Sequence, residues 1–259
     1  MNLALTRERS RLADWSGYLA SLSVPVLIIV AIGHRLRLIA ATPTYAGMAL
    51  GFSLAALAVI AALAAFVTIW RDGRPGLAAA MRGLILGLAV LAIPAFGAWH
   101  LVLYPRLIDV STDLADPPGF ALAVRDRSPE DGPIVPPDAY RAELQADAYP
   151  DIVPRHYPVS TARVFDEVRA LIVSRGWQVL DARPPSETDS SGTIEAVATS
   201  LVFGFRQDVS IRVRADGDGS RVDMRSASRS AAHDLGANAE RIRKLFADLD
   251  DALAGVTSQ

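Results

Sequence analysis

An α+β domain carried on three membrane-spanning helices is the fold class this sequence predicts, and three observations predict it. Charge is divided unevenly: the first 105 residues hold 8 Arg against 3 acidic residues, and the remainder holds 18 basic against 25 acidic. Three apolar runs long enough to cross a bilayer fall in the first part. In the second part, helical and alternating patterns follow in the order β-α-β-β-β-β-α, the pattern of an antiparallel sheet with two helices on one face. Residues 1–105 therefore read as a three-helix transmembrane region. Residues 106–150 read as an irregular Pro-rich segment packing on the soluble domain, and 151–259 as the α+β domain itself.

The apolar runs are Trp15 to His34, Tyr45 to Trp70 and Met81 to Tyr104. Each has the roughly 20 residues needed to cross hydrocarbon. Aromatic residues mark their ends: Trp15 and Tyr18, Tyr45 and Trp70, Trp99 and Tyr104. Arg35 and Arg37 follow the first run where a signal peptide would have a small-residue cleavage site, so that run reads as a span. Gly47 and Gly51, and Gly83 and Gly87, form small-residue faces that allow close helix approach. Pro25 and Pro94 fall inside spans, where a kink is expected. Arg7, Arg9, Arg11, Arg71, Arg74 and Arg82 fall on one side of the membrane, against Arg35, Arg37 and Arg106 on the other. That bias predicts a cytoplasmic N-terminus in the inner membrane, with the C-terminal domain periplasmic or otherwise extracytoplasmic.

Residues 106–150 show no periodicity and many turn formers. Ile152 to Val159 reads as a strand. Ser160 or Thr161 then caps a helix to Arg175, with Val164, Phe165, Val168, Leu171 and Ile172 on one face and Gly176 as its stop. Strands follow over Trp177 to Ala182, Thr193 to Leu201, Asp208 to Ala215 and Ser220 to Ser228. A two-residue turn at Gly217-Asp218 places Arg212 opposite Asp223 and Arg214 opposite Arg221. A similar turn at Gly204-Phe205 places Glu195 opposite Arg214, giving an alternating charge ladder on a solvent face. The last helix, about Gly236 to Ala254, puts Leu235, Ala239, Ile242, Leu245, Leu249 and Leu253 on one side.

Composition excludes several classes of function. The chain has no Cys, hence no disulfide framework, thiol nucleophile or thiolate metal site. Its net charge of −2 gives no basis for nucleic-acid binding. No acidic residue falls inside an apolar run, so a proton path is not expected. His34 and His100 lie near the outer ends of their runs with no further ligand, and His156 and His233 are isolated. There is no phosphate loop, nucleophile elbow or clustered His/Asp/Glu spacing. No catalytic residue, metal site or cofactor is expected.

The stretch MRSASRSAAHDLGANAERIR, from Met224 to Arg243, is the candidate site. Ser226 and Ser228 continue the core-facing phase of Met224, while Arg225 and Arg229 point the other way. Asp234 is the expected N-cap of the last helix, and Asn238 shares the phase of Ile242, facing inward. With Arg241, these residues allow two readings. One is a pocket for an anion or lipid headgroup at the helix N-terminus. The other is a clamp in which they satisfy one another and the 106–150 segment: Asp234 pairs with Arg229, and Asp109, Ser111, Thr112 or Asp113 meets Arg225 or Arg241. The expected partners are the lipid bilayer and an envelope protein or anionic ligand.

The motifs DVSTD, DPPGF, YPDI, GW, IEA, GF-x-x-DV-x-IRV, RVD-x-RSASR and DLGANAERI, in this order, resemble the bacterial domain-of-unknown-function family numbered 1499. The resemblance covers nearly all of 106–254. It implies the domain's organisation, with membrane helices ahead of it in some relatives, and no chemistry. The chain departs from the family pattern at Gln207-Asp208, where two acidic residues are usual, and at Ser230 to His233, where Gly and Ser are common.

Overall fold

The structure, a computed structural model, describes residues 8–134, 137–186, 190–230 and 233–254. Arg7 of the tail, residues 187–189 of the turn before the third-last strand, and Ala231 and Ala232 lie outside the described residues. The chain forms two compact units: residues up to Trp99 with Val202–Gly204, and His100–Leu201 with Phe205 onward.

The first unit contains α1 (Arg11–Arg35), α2 (Ala41–Asp72) and α3 (Leu77–Leu103) up to Trp99; the last turn of α3, from His100, belongs to the second unit. Their apolar windows have mean hydropathies of 1.9, 2.5 and 2.0, and each is long enough to cross a membrane. Each helix begins four residues before its apolar run. That extra turn places the start of each helix outside the apolar run; in α1 the Ser10 hydroxyl caps it by accepting from Ala13 N. Large side chains such as Ile29, Ile60 and Ile85 face outward, while Ala, Gly and Ser fill the helix contacts. Lipid tails are as apolar as Leu, so helices associate through close backbone packing instead. A Cβ on Gly83 would collide with Ser16 Oγ, and one on Gly51 would lie 2.6 Å from the Leu27 side chain. Ser16 also donates to the Ala58 carbonyl at 2.9 Å, tying α1 to α2.

The second unit contains β1 (Asp109–Ser111), α4 (Leu122–Asp126), α5 (Ala139–Ala148), β2 (Arg155–Tyr157), α6 (Thr161–Ser174), β3 (Gln178–Arg183), β4 (Gly192–Thr199), β5 (Arg206–Asp216), β6 (Gly219–Ser228) and α7 (Ala237–Ala254). The sheet is antiparallel in the order β1-β6-β5-β4-β3, with β2 also paired to β6 beyond the end of β1. The predicted α+β class holds. Helices α6 and α7 cover one face, where Phe165, Ile172, Ile194, Ile211, Met224, Ile242, Leu245 and Leu249 form one core. Each such side chain contributes about 1.5–3 kcal/mol by leaving water.

Several elements differ from the sequence reading. The segment read as irregular contains β1, α4 and α5; β1 has three residues, too few to show alternation, and exists through its pairing with β6. β2 is shorter than expected, since Pro154 and Pro158 bracket it. Leu235 lies before α7 with φ 56°, not on its apolar face.

The register of the β5–β6 hairpin is as predicted, with Arg212 opposite Asp223 and Arg214 opposite Arg221. Gly217 has φ 57°, the positive value that the first turn position of this hairpin requires. The β4–β5 register is not as predicted: Glu195 faces Ser210, not Arg214. Ser200 and Phe205 close that hairpin, with Ser200 N donating to the Phe205 carbonyl and Phe205 N to Ser200 Oγ. The connection is thus four residues, 201–204, rather than two.

Candidate functional site

Two polar clusters flank β6, one on each face of the sheet. On the helix-covered face, the alternation that buries Val222 and Met224 carries Ser226 and Ser228 inward beneath the start of α7. Asn238, one turn into α7, joins them. Ser226 Oγ donates to Asn238 Oδ1 at 2.8 Å, and Asn238 Nδ2 donates to Ser228 Oγ and the Ile108 carbonyl, both at 3.1 Å. Arg241 donates to Ser226 Oγ, Asn238 Oδ1 and Gln207 Oε1 at 2.9–3.0 Å. All three acceptors are neutral, and burial pushes the guanidinium down to about 10. Asp234 accepts from Gly236 N and Asn238 N, so its own carboxylate occupies the N–H groups that open α7. Burial outweighs these bonds and holds the Asp234 carboxyl above its usual value.

The opposite face carries charge from β4, β5 and β6. It is covered by residues 109–132, so the expected solvent ladder is overturned. Asp208 and Arg229 are 0 % and 1 % exposed. Arg229 grips Asp208 Oδ1 through Nε at 2.9 Å and Nη2 at 2.5 Å, and reaches Asp126 Oδ2 at 2.9 Å. Arg127 Nε binds the other Asp208 oxygen at 2.8 Å, and Arg206 binds Asp126 at 2.6 Å. Burial raises the Asp208 carboxyl against the pull of Arg229 and Arg127. For Asp126 burial acts the same way, but hydrogen bonds from Arg229 and Arg206 outweigh it and lower the carboxyl.

Along the same face, Asp223 is fully buried and receives Arg212, Arg214 and Arg221 at 2.9–3.2 Å. Asp113 binds Arg221 at 2.6 Å, and Asp116 binds Arg212 at 3.0 Å. The facing arginines 214 and 221 are thus bridged by carboxylates. Against burial, the backbone N–H groups of Asp116 and Ala115 and the charge of Arg221 hold Asp113 below its usual range. Arg225 pairs with Asp109 at 2.6 Å, donates to the Pro118 carbonyl and lies 4.9 Å over the Phe120 ring. Glu195 accepts from the N–H groups of Ala121, Leu122 and Ala123 at 2.8–2.9 Å, capping α4.

The seven candidate residues therefore divide between the faces. Ser226, Ser228, Asn238 and Arg241 come together, Asp234 closes the end of α7 beside them, and Arg225 and Arg229 belong to the opposite cluster. Arg229 pairs with Asp208 and Asp126, not Asp234, because alternation sends the two to different sides of the sheet. The expected Asp109–Arg225 contact is present. The sequence reading missed Asp208, Glu195, Asp126 and Arg127; a buried acid in an alternating strand has the same pattern as a solvated one. It also missed Tyr149. Among the described residues the buried hydroxyl of Tyr149 has no hydrogen-bond partner, and burial together with Asp234's charge pushes it up to about 12. A cleft of about 450 Å³ lies nearby, lined by Thr112, Asp113, Gln145, Ile152, Pro154 and Arg221 among others.

Fold and clusters together define a membrane-anchored α+β module whose linking segment is strapped across its own sheet. Residues 109–249 match the family described as Protein of unknown function (DUF1499), and the chain belongs to that family. No curated protein matches the chain at a significant level.

Proposed function

We propose that this protein is a non-enzymatic binding or envelope-associated module held outside the cytoplasm, in which the polar groups around β6 and the start of α7 fasten the 106–132 segment to the sheet. One observation supports the clamp: the candidate residues have hydrogen-bond partners within the domain, and at least five of the seven reach that segment. Arg225 binds Asp109, Arg229 binds Asp126, Asn238 Nδ2 and Ser228 N donate to the Ile108 carbonyl, and Asp234 N donates to the Leu107 carbonyl. The Arg bias of six against three supports the orientation. Alkaline phosphatase fused after Gln259 is expected to be active, and a fluorescent protein that matures only in the cytoplasm to stay dark. The reverse pair overturns the orientation.

A second reading, an anion or lipid-headgroup binder, has one favourable observation: the acceptors of Arg241 among the described residues, Ser226, Asn238 and Gln207, are neutral. Thermal melts of the detergent-solubilised full chain separate the two readings. With inorganic phosphate replacing chloride at constant ionic strength, the clamp predicts no saturable rise in Tm and a lower Tm for Asn238→Ala in both salts. A saturable rise that Arg241→Gln abolishes favours the anion site.

A further inference from the structure

We infer that the tip of the β4–β5 hairpin, Leu201-Val202-Phe203, is a membrane-inserting element that seats one end of the sheet on the bilayer surface from which α3 emerges. The two ends of this sheet differ in chemistry. At one end, β5 and β6 are joined through Asp216-Gly217-Asp218-Gly219, an exposed polar turn. At the other, β4 and β5 are joined through Ser200-Leu201-Val202-Phe203-Gly204-Phe205, with four large apolar residues in six. Leu201 is 87 % exposed and Val202 61 %. The other large apolar residues exposed on this domain, such as Val124, Val153 and Val173, stand singly, as on any soluble surface.

The apolar tip lies at the end of the sheet where the chain arrives from the membrane. Thr199 pairs with Arg206 and Gln207 with Ser228, while Ser228 N donates to the Ile108 carbonyl at 2.7 Å. Ile108 is five residues beyond Leu103, the last residue of α3, a covalent reach of at most about 17 Å. The actual path is held closer by short contacts. His100 Nδ1 is 3.1 Å from the Leu235 carbonyl, His233 Nε2 is 3.2 Å from the Tyr104 carbonyl, and Asp234 N donates to Leu107. Tyr104 and the exposed Arg106 at this end suit the headgroup layer, where amphipathic rings and long cations concentrate. A hairpin tip cannot satisfy all its backbone groups in hydrocarbon. The depth is therefore interfacial, about 5–10 Å, with side chains in the acyl layer and backbone among the headgroups.

The absence of native Cys allows a direct test. Leu201→Cys in the full chain is spin-labelled and reconstituted in phosphatidylethanolamine–phosphatidylglycerol vesicles. Asp218→Cys and Val173→Cys serve as references at the polar turn and at an exposed apolar position. Collision with oxygen, which partitions into lipid, is compared with collision with a water-soluble nickel chelate. The oxygen-to-nickel ratio at 201 is expected to be several-fold above that at both references. A ratio at 201 equal to the references places the tip in water and overturns the inference. Exclusion of both reagents at 201 also overturns it, since a protein surface, a second copy included, then covers the tip. A ratio at 173 as high as at 201 assigns the signal to the label and overturns it as well.

Discussion

Asp208 and Arg229 show what one residue can do in this domain. Both are sealed from water, and their charges are held by ion pairs: Asp208 by Arg229 and Arg127, Arg229 by Asp208 and Asp126. Breaking a buried pair by removing one partner costs about 3–5 kcal/mol. Arg229→Ala is therefore expected to lower stability by that amount in denaturant melts of the full chain, far more than Arg163→Ala, whose pair with Glu167 is solvated on α6. Tyr149 makes the opposite case. Its buried hydroxyl has no partner among the described residues, so Tyr149→Phe keeps the ring, including its contact with Arg243, and removes a group that costs about 1–3 kcal/mol. The variant is expected to melt above the wild type. A clear drop in Tm would show that the hydroxyl has a stabilising role.

At the scale of elements, the 109–132 strap holds the charged face of the sheet, and acid should release it. Asp113 and Asp126 sit below their usual 3.8, so their contribution is complete above that value and is lost as pH falls through the lowered folded values. Asp208 and Asp234 are raised, so their contribution runs the other way: present in acid and lost as pH rises through their folded values. Stability should thus change little, or rise slightly, from neutrality toward about pH 5 and then fall below about pH 4. Hydrogen exchange should rise first in residues 109–132, and Asp126→Asn should flatten the acid limb. Glu195→Gln tests the same strap from the sheet side. It weakens the acceptor of three N–H groups at α4, so exchange at Ala121, Leu122 and Ala123 should rise while the α7 core stays protected.

For the molecule as a whole, the apolar unit depends on small residues and the domain on a mixed core, so the two respond to different substitutions. Gly83→Val places branched carbons where even an added Cβ would meet Ser16. It should loosen the three-helix packing, seen as lower thermal stability of the detergent-extracted chain, while exchange protection of β4, β5 and β6 remains. Loss of protection in those strands as well would mean that the domain depends on tight packing of the helices.

The sequence by itself determined the three apolar helices, the succession of strands β2 to β6 and the hairpin at Gly217, because hydropathy length, alternation and turn chemistry are local properties. Ser226, Ser228, Asn238 and Asp234 were also legible, since helical phase and a cap position need only neighbouring residues. The tertiary structure decided which face was wet. Arg212, Arg214, Arg221, Asp223 and Glu195 read as a solvated ladder because alternation distinguishes two faces without saying what covers either. What covers them is a segment about 100 residues away in sequence, and its strand β1 exists only because β6 supplies the hydrogen bonds.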